Sequence, residues 1–228
     1  MTSPIIVFDL DGTLIDTAPD LLDSLNHVIT AEGLDPVASD DLRAHVGHGG
    51  RVMLRRAYQA QQRTLAEADL ERLLAVFIDH YSANMPGLSQ PFDGVLACME
   101  RFEKAGFVLA VCTNKFEAMS RRLLEALGIA RRFSAICGAD TFPVRKPDPG
   151  HLTGTIDIAG GDRGTALMVG DTDTDINTAK AAGIPVVAVD FGYSTQPVET
   201  LSPDRIIDHY DALTPHLARE LIGARGLP

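Results

Sequence analysis

Positive charge, cysteine and long apolar runs are all scarce in this 228-residue chain. Twenty Lys and Arg stand against 31 Asp and Glu, a formal net charge of −11. That balance argues against a protein that grips nucleic-acid backbones. It leaves an anionic small molecule in need of a local cation or a metal. No apolar run approaches the roughly 20 residues of a membrane-spanning helix. The opening MTSPIIVFDLDG lacks the basic-then-apolar order of a secretory leader, so no membrane association is expected. The three cysteines, Cys98, Cys112 and Cys137, are odd in number and scattered, without metal-ligand spacing. They read as reduced core residues of a cytoplasmic protein. Nucleotide signatures are missing as well. No GxxxxGK[ST] occurs, and VGHGGRV breaks GxGxxG because Val52 stands at its last glycine.

What is present is an alternation of short strands and amphipathic helices. An apolar fraction of 45% and a charged fraction of 22% suit a globular chain. The length allows one core, or one core with a smaller inserted domain. In VFDLDGTLID (7–16) an apolar stretch ends in Asp9 and Asp11, followed by Gly-Thr. Asp-Gly after an apolar run is a hairpin signal, but a hairpin needs a second alternating strand. Instead Leu21, Leu22, Leu25, Val28 and Ile29 follow at helical spacing, so a strand gives way to a helix. Further strands are read at 107–114, 134–140, 166–171 and 185–192, with a weaker one at 204–208 and a terminal helix from Tyr210. Near-continuous apolar strands alternating with helices predict an α/β fold, a doubly wound, Rossmann-like parallel sheet.

One stretch breaks the rhythm. Residues 16–85 offer no good strand and read as helices near 18–32, 49–62 and 66–82, with a shorter one at 39–46. NMPGLSQPFDG, holding Pro86, Gly87, Pro91 and Gly94, then leads back to the sheet. The expected organisation is a catalytic core of residues 1–15 and 86–228, with an all-helical cap domain of residues 16–85 inserted after the first strand.

Ligands of open parallel sheets bind beyond the carboxyl ends of the strands. There the first strand offers Asp9, Asp11 and Thr13; the second offers Thr113, Asn114 and Lys115. RKPDP brings Arg145 and Lys146, and the fourth strand brings Asp171, Asp173 and Asp175. Carboxylates with hydroxyls, an amide and ammonium groups suit Mg²⁺ better than zinc or copper. They favour a phosphoryl group bridged between metal and lysine, with free backbone N–H groups at Thr113 and Asn114 helping to hold it. DTDTDINTAKAA begins like a calcium loop, but Ile176 and Ala182 stand where glycine and an acid are required.

DLDGT, VCTN, RKPDP and VGDTDTD, in this order, resemble the four motifs of the haloacid dehalogenase superfamily. FDLDGTLIDTAPDL, VGHGG with LRRA, TNK with LLEALGI, and FGY resemble more narrowly the phosphoglycolate phosphatase family. The resemblance implies a Mg²⁺-dependent phosphatase that hydrolyses 2-phosphoglycolate through an aspartyl-phosphate. Asp9 would be the nucleophile and Asp11 the acid and base. Mg²⁺ would be held by Asp9, the Asp11 carbonyl and Asp171, and Thr113, Asn114 and Lys146 would hold phosphoryl oxygens. Asp175 matches a supporting position and Asp173 a solvent-facing spacer. Lys115 is open between a surface helix residue and a substrate contact.

The cap must read the leaving group, for which His48 and Arg51 are the candidates, beside Arg55 and Arg56. The alternative is a linker into a helix whose arginines face water. His27, His80 and His151 are expected to pack or face solvent. Competing readings are a phosphatase for a sugar phosphate or pyrophosphate, a sugar phosphomutase, and a non-catalytic binding protein. Oligomeric state is expected to be monomer or homodimer, and the partner a small phosphorylated metabolite.

Overall fold

The computed structural model describes residues 3–38, 46, 47 and 49–225. The helix expected at 39–46 falls almost wholly outside them, and His48 lies outside them. Six strands form one parallel sheet: β1 (Ser3–Phe8), β4 (Val108–Cys112), β5 (Ala135–Cys137), β6 (Gly161–Gly170), β7 (Val186–Val189) and β8 (Arg205–Ile207). Their order is β5-β4-β1-β6-β7-β8, with β1 central and the order reversing on either side of it.

Alternation along β1 explains why the sheet is covered twice. Ile6 and Phe8 share one buried layer with Leu109, Val111, Leu167 and Val169. On that side pack α4 (Val95–Lys104), α5 (Glu117–Ala126) and α8 (Pro215–Arg225), through Phe102, Leu124 and Ala218 among others. Ile5 and Val7 join Ala110, Met168 and Val186 on the other face, under α6 (Pro149–Ile158) and α7 (Asp173–Ala181). Both faces of each strand are apolar because both are buried. The three cysteines lie free within these layers, and burial pushes the Cys98 and Cys112 thiols up to about 12, far from a reactive thiolate.

The inserted segment is helical, as its spacing predicts: α1 (Ala18–Ala31), α2 (Gly50–Ala60) and α3 (Glu67–Asn84). They close on a cluster that includes Leu25, Ile29, Leu54, Leu73, Phe77 and Tyr81, together with Tyr193 from beyond the insert. Among its ties to the rest of the chain, two lie where the insert begins and ends. Strands β2 (Ile15–Asp16) and β3 (Gln90–Pro91) pair antiparallel. Each is two residues long, too short to show any period in the sequence. Asp20 of α1 adds a second tie, its carboxylate accepting the N–H groups of Leu88 and Ser89 at 2.8 Å and the Ser89 hydroxyl.

Boundaries shift in two places. Strand β6 begins at Gly161 rather than at 166, because Ser3 pairs with Gly161 before a bulge resets the register to Ile5 with Ala166. The terminal helix starts at Pro215, not Tyr210. One 3-10 turn, Tyr210–Ala212, comes first, and the residue before a proline resists the helical conformation. Among the described residues no helix is long and apolar enough to cross a membrane.

Candidate active site

The site forms where β1, β4 and β6 end. The Asp9 amide still bonds the Val169 carbonyl at 2.9 Å, so the aspartate is fixed by the ladder. The chain then turns, with the Leu14 and Ile15 amides returning to the Leu10 carbonyl. Gly12 sits in this turn at φ +80°, and a Cβ there would stand 2.4 Å from Asp171 Oδ2. Glycine is therefore required twice over, by the left-handed backbone and by the approach of Asp171. That approach answers why Asp-x-Asp runs into Gly-Thr: the Thr13 hydroxyl donates to Asp171 Oδ1 at 2.8 Å.

Asp171 is fully buried, and its other oxygen accepts the Tyr193 amide at 2.7 Å. Asp175, also fully buried, forms a capping box with Thr172 at the start of α7. Its Oδ2 accepts from the Asp171 amide, the Thr172 amide and the Thr172 hydroxyl, while Oδ1 accepts from Lys146 Nζ at 2.6 Å. Asp173 is half-buried rather than solvent-facing, and it accepts the Thr174 amide.

Lys146 Nζ also lies 2.8 Å from Asp9 Oδ1, but off the line of a hydrogen bond, so that buried oxygen has no hydrogen-bond partner. The Lys146 backbone is gripped on both sides. Its amide donates to His151 Nδ1 at 3.1 Å, and its carbonyl accepts the Asn114 side-chain amide at 3.0 Å. His151 is thus packed, as expected, and it also positions the lysine.

Three carboxylates share this enclosure with one ammonium, and the electrostatics record the imbalance. Burial pushes Asp9 up to about 7 against the pull of Lys146, with the charges of Asp175 and Asp11 adding to the rise. Burial, then Asp175 and Asp9, hold Asp171 well above the carboxylate range. For Lys146 burial disfavours the charged form, yet Asp175 and Asp9 outweigh it and keep the ammonium protonated. Asp9, Asp171 and Asp175 bring one oxygen each within 4.8 Å of one another. An all-oxygen donor set with an orphaned buried carboxylate oxygen fits a hard divalent cation. Asp175 is the least suited of the three as a ligand, because four donors already occupy its oxygens.

Asp11 faces a different environment. Its Oδ1 accepts Lys115 Nζ at 2.8 Å and the Thr17 hydroxyl at 2.7 Å. Lys115 is no surface residue: its side chain is 7% exposed, and its ammonium sits 4.5 Å from the centre of the Tyr81 ring of α3. A contact 104 residues apart leaves no trace in local spacing.

One expectation is amended, and the other candidates have partners within the chain. The Thr113 amide is not free for a ligand, because it continues the ladder to the Cys137 carbonyl at 3.0 Å. The Thr113 hydroxyl accepts the Lys115 amide, and the Asn114 side chain braces Lys146. Arg51 pairs through two nitrogens with Glu71, both half-exposed, rather than with any group of the core site. Tyr193 was missed, although FGY stands out in the sequence. Besides its amide on Asp171, its hydroxyl accepts the Thr17 and Ala18 amides at 2.8 and 2.9 Å and donates to Asp16 at 2.6 Å. One residue therefore joins the carboxylate cluster to the first turn of α1.

Enclosed carboxylates beside a buried lysine, at the carboxyl ends of a parallel sheet, define a class of hydrolase. The chain belongs to the haloacid dehalogenase-like hydrolases, whose family profile matches residues 6–189. Its relatives narrow that class. It is 62% identical over 226 residues to the phosphoglycolate phosphatase of Mesorhizobium japonicum, covering 99% of this chain and all of that protein. It is 50% identical to that of Agrobacterium fabrum, covering 96% of this chain and 94% of the relative. Among solved structures, a predicted phosphoglycolate phosphatase from Haemophilus somnus superposes with a TM-score of 0.85 at 29% identity, covering 93% and 97% of the two chains.

Proposed function

We propose that this chain is a cytoplasmic Mg²⁺-dependent phosphatase that hydrolyses 2-phosphoglycolate to glycolate and phosphate. The observation that carries the reading is the pairing of two differently held aspartates at the end of β1. Asp9 is enclosed with Asp171 and Lys146; Asp11 is held by Lys115 and Thr17. Relatives of this length and identity carry the name of that activity.

On this reading the Asp9 carboxylate attacks phosphorus and forms an aspartyl-phosphate. Asp11 gives a proton to the departing glycolate oxygen, then takes one from the water that hydrolyses the acyl-phosphate. Lys146, fixed by Asp175, His151 and Asn114, balances charge on the phosphoryl oxygens, with the Thr113 hydroxyl beside it. A Mg²⁺ held by Asp9, Asp171 and the Asp11 carbonyl would neutralise the charge of an anion attacking an anion. Residues 16–85 serve as a cap whose closure keeps water out until the phosphoryl group has moved.

Phosphate release from 2-phosphoglycolate, a panel of sugar phosphates and pyrophosphate, with and without Mg²⁺, tests the reading. Expected is a preference for 2-phosphoglycolate that disappears on chelation and falls at least about 10⁴-fold in Asp9→Asn, which lacks a nucleophile. Preference for another phosphate would keep the mechanism and overturn the substrate. Isomerised sugar phosphate without free phosphate would identify a mutase.

A further inference from the structure

The reading above leaves the glycolate carboxylate without a partner. We propose that the Lys115 ammonium binds it, with the Tyr81 hydroxyl as a second donor, so that core and helical insert together read the leaving group. The inference rests on the proposed function and names the part of the site that selects the substrate.

Position comes first. Asp11, the acid that meets the leaving oxygen, bonds Lys115 directly. In 2-phosphoglycolate the carboxylate is one methylene from that oxygen, so a cation one hydrogen bond from the acid stands within its reach. Lys146 is engaged elsewhere, between Asp9 and Asp175. The insert's Arg51, Arg55 and Arg72 pair at the surface with Glu71, Glu67 and Glu32.

The second observation is independent. Tyr81 is 1% exposed, yet its buried hydroxyl has no acceptor for its proton, while its ring lies against the Lys115 ammonium, which can only donate. A phenol buried in a helix interface normally finds an acceptor, and an orphan of this kind calls for a ligand or a water. An incoming carboxylate supplies acceptors for both the phenol and the ammonium. The ammonium has three donors, of which Asp11 accepts one. Burial disfavours the charge on Lys115, but the Asp11 carboxylate outweighs it and holds it protonated. The lysine therefore presents a full charge in an enclosed space, where an ion contact discriminates strongly.

The test compares 2-phosphoglycolate with ethyl phosphate, the same chain length without the carboxylate, in the intact protein with Mg²⁺. The readout is the ratio of their kcat/KM values. Wild type is expected to favour 2-phosphoglycolate by a factor of about 10³ or more, since a site built for a polar group rejects the analogue lacking it. Lys115→Met should cut the ratio by about a hundredfold, and Tyr81→Phe, which keeps the ring, by about tenfold, both mainly through the KM for 2-phosphoglycolate. A large wild-type ratio retained in both variants overturns the inference and leaves the proposed function standing. A wild-type ratio near one overturns both. If Lys115→Met does not fold, the ratio in Tyr81→Phe decides alone.

Discussion

The sheet core and the helical insert both rely on paired charges, in opposite ways. In the core, Lys146 is almost completely enclosed and lies between two carboxylates that have no water to turn to. On the insert, Arg51–Glu71, Arg55–Glu67 and Arg72–Glu32 face solvent. A solvated pair loses little when broken, because water replaces the partner. An enclosed pair, once broken, leaves a charge with nothing to solvate it. The core has thus concentrated its charge where a ligand must be bound, at a cost in stability, while the insert has placed its own where it is nearly neutral.

Lys146→Met should sharpen that contrast most. It strands Asp9 and Asp175 and is expected to destabilise the protein by about 3–5 kcal/mol in denaturant unfolding without Mg²⁺. A loss below 1 kcal/mol would show that the enclosed pair behaves like a surface one.

The next effect is on pH dependence. Burial, with the Lys146 charge beside it, holds His151 at about 4, below its ordinary value of 6.5. Between these values the unfolded chain binds a proton that the folded chain refuses. This histidine therefore contributes stability that is present above pH 6.5 and is lost as pH falls toward 4, at most about 3 kcal/mol. Asp9, raised to about 7, acts with the opposite sign, lowering stability as pH rises from about 4 to 7. His151→Asn, which can still accept the Lys146 amide, should remove the gain with rising pH and leave metal-free stability falling across this window. An unchanged pH profile would show that His151 does not titrate differently on folding.

Tyr193→Phe probes the junction of the two regions. Losing the hydroxyl leaves the Thr17 and Ala18 amides and Asp16 without it. The expected destabilisation is about 1–3 kcal/mol. At the small end, Arg51→Met should leave the unfolding midpoint unchanged, because both members of that pair stand in water. A clear fall in stability would overturn the contrast from the side of the insert.

Much of the architecture could be read in advance. Apolar runs at β1, β4 and β6 and the spacing of Leu21, Leu22, Leu25, Val28 and Ile29 gave the right elements in the right order, because burial on two faces or one imposes a period on the chain. Asp9, Asp171 and Lys146 also come together, since strand ends of a parallel sheet lie along one edge. Strands β2 and β3 were invisible, being shorter than any period. Arg51 looked like a free cation because its partner, Glu71, lies 20 residues on, across a helix pair.

The sequence by itself determined the strands, the helices and their order, because each follows from a local pattern repeated over several residues. Only the tertiary structure decided that Lys115 is enclosed against Asp11 and Tyr81, that Thr113 keeps its amide in the ladder, and that Tyr193 bridges Asp171 to α1. The reason is physical: whether a polar group is available to a ligand depends on the partners that burial brings to it, and here several lie 100 residues or more away.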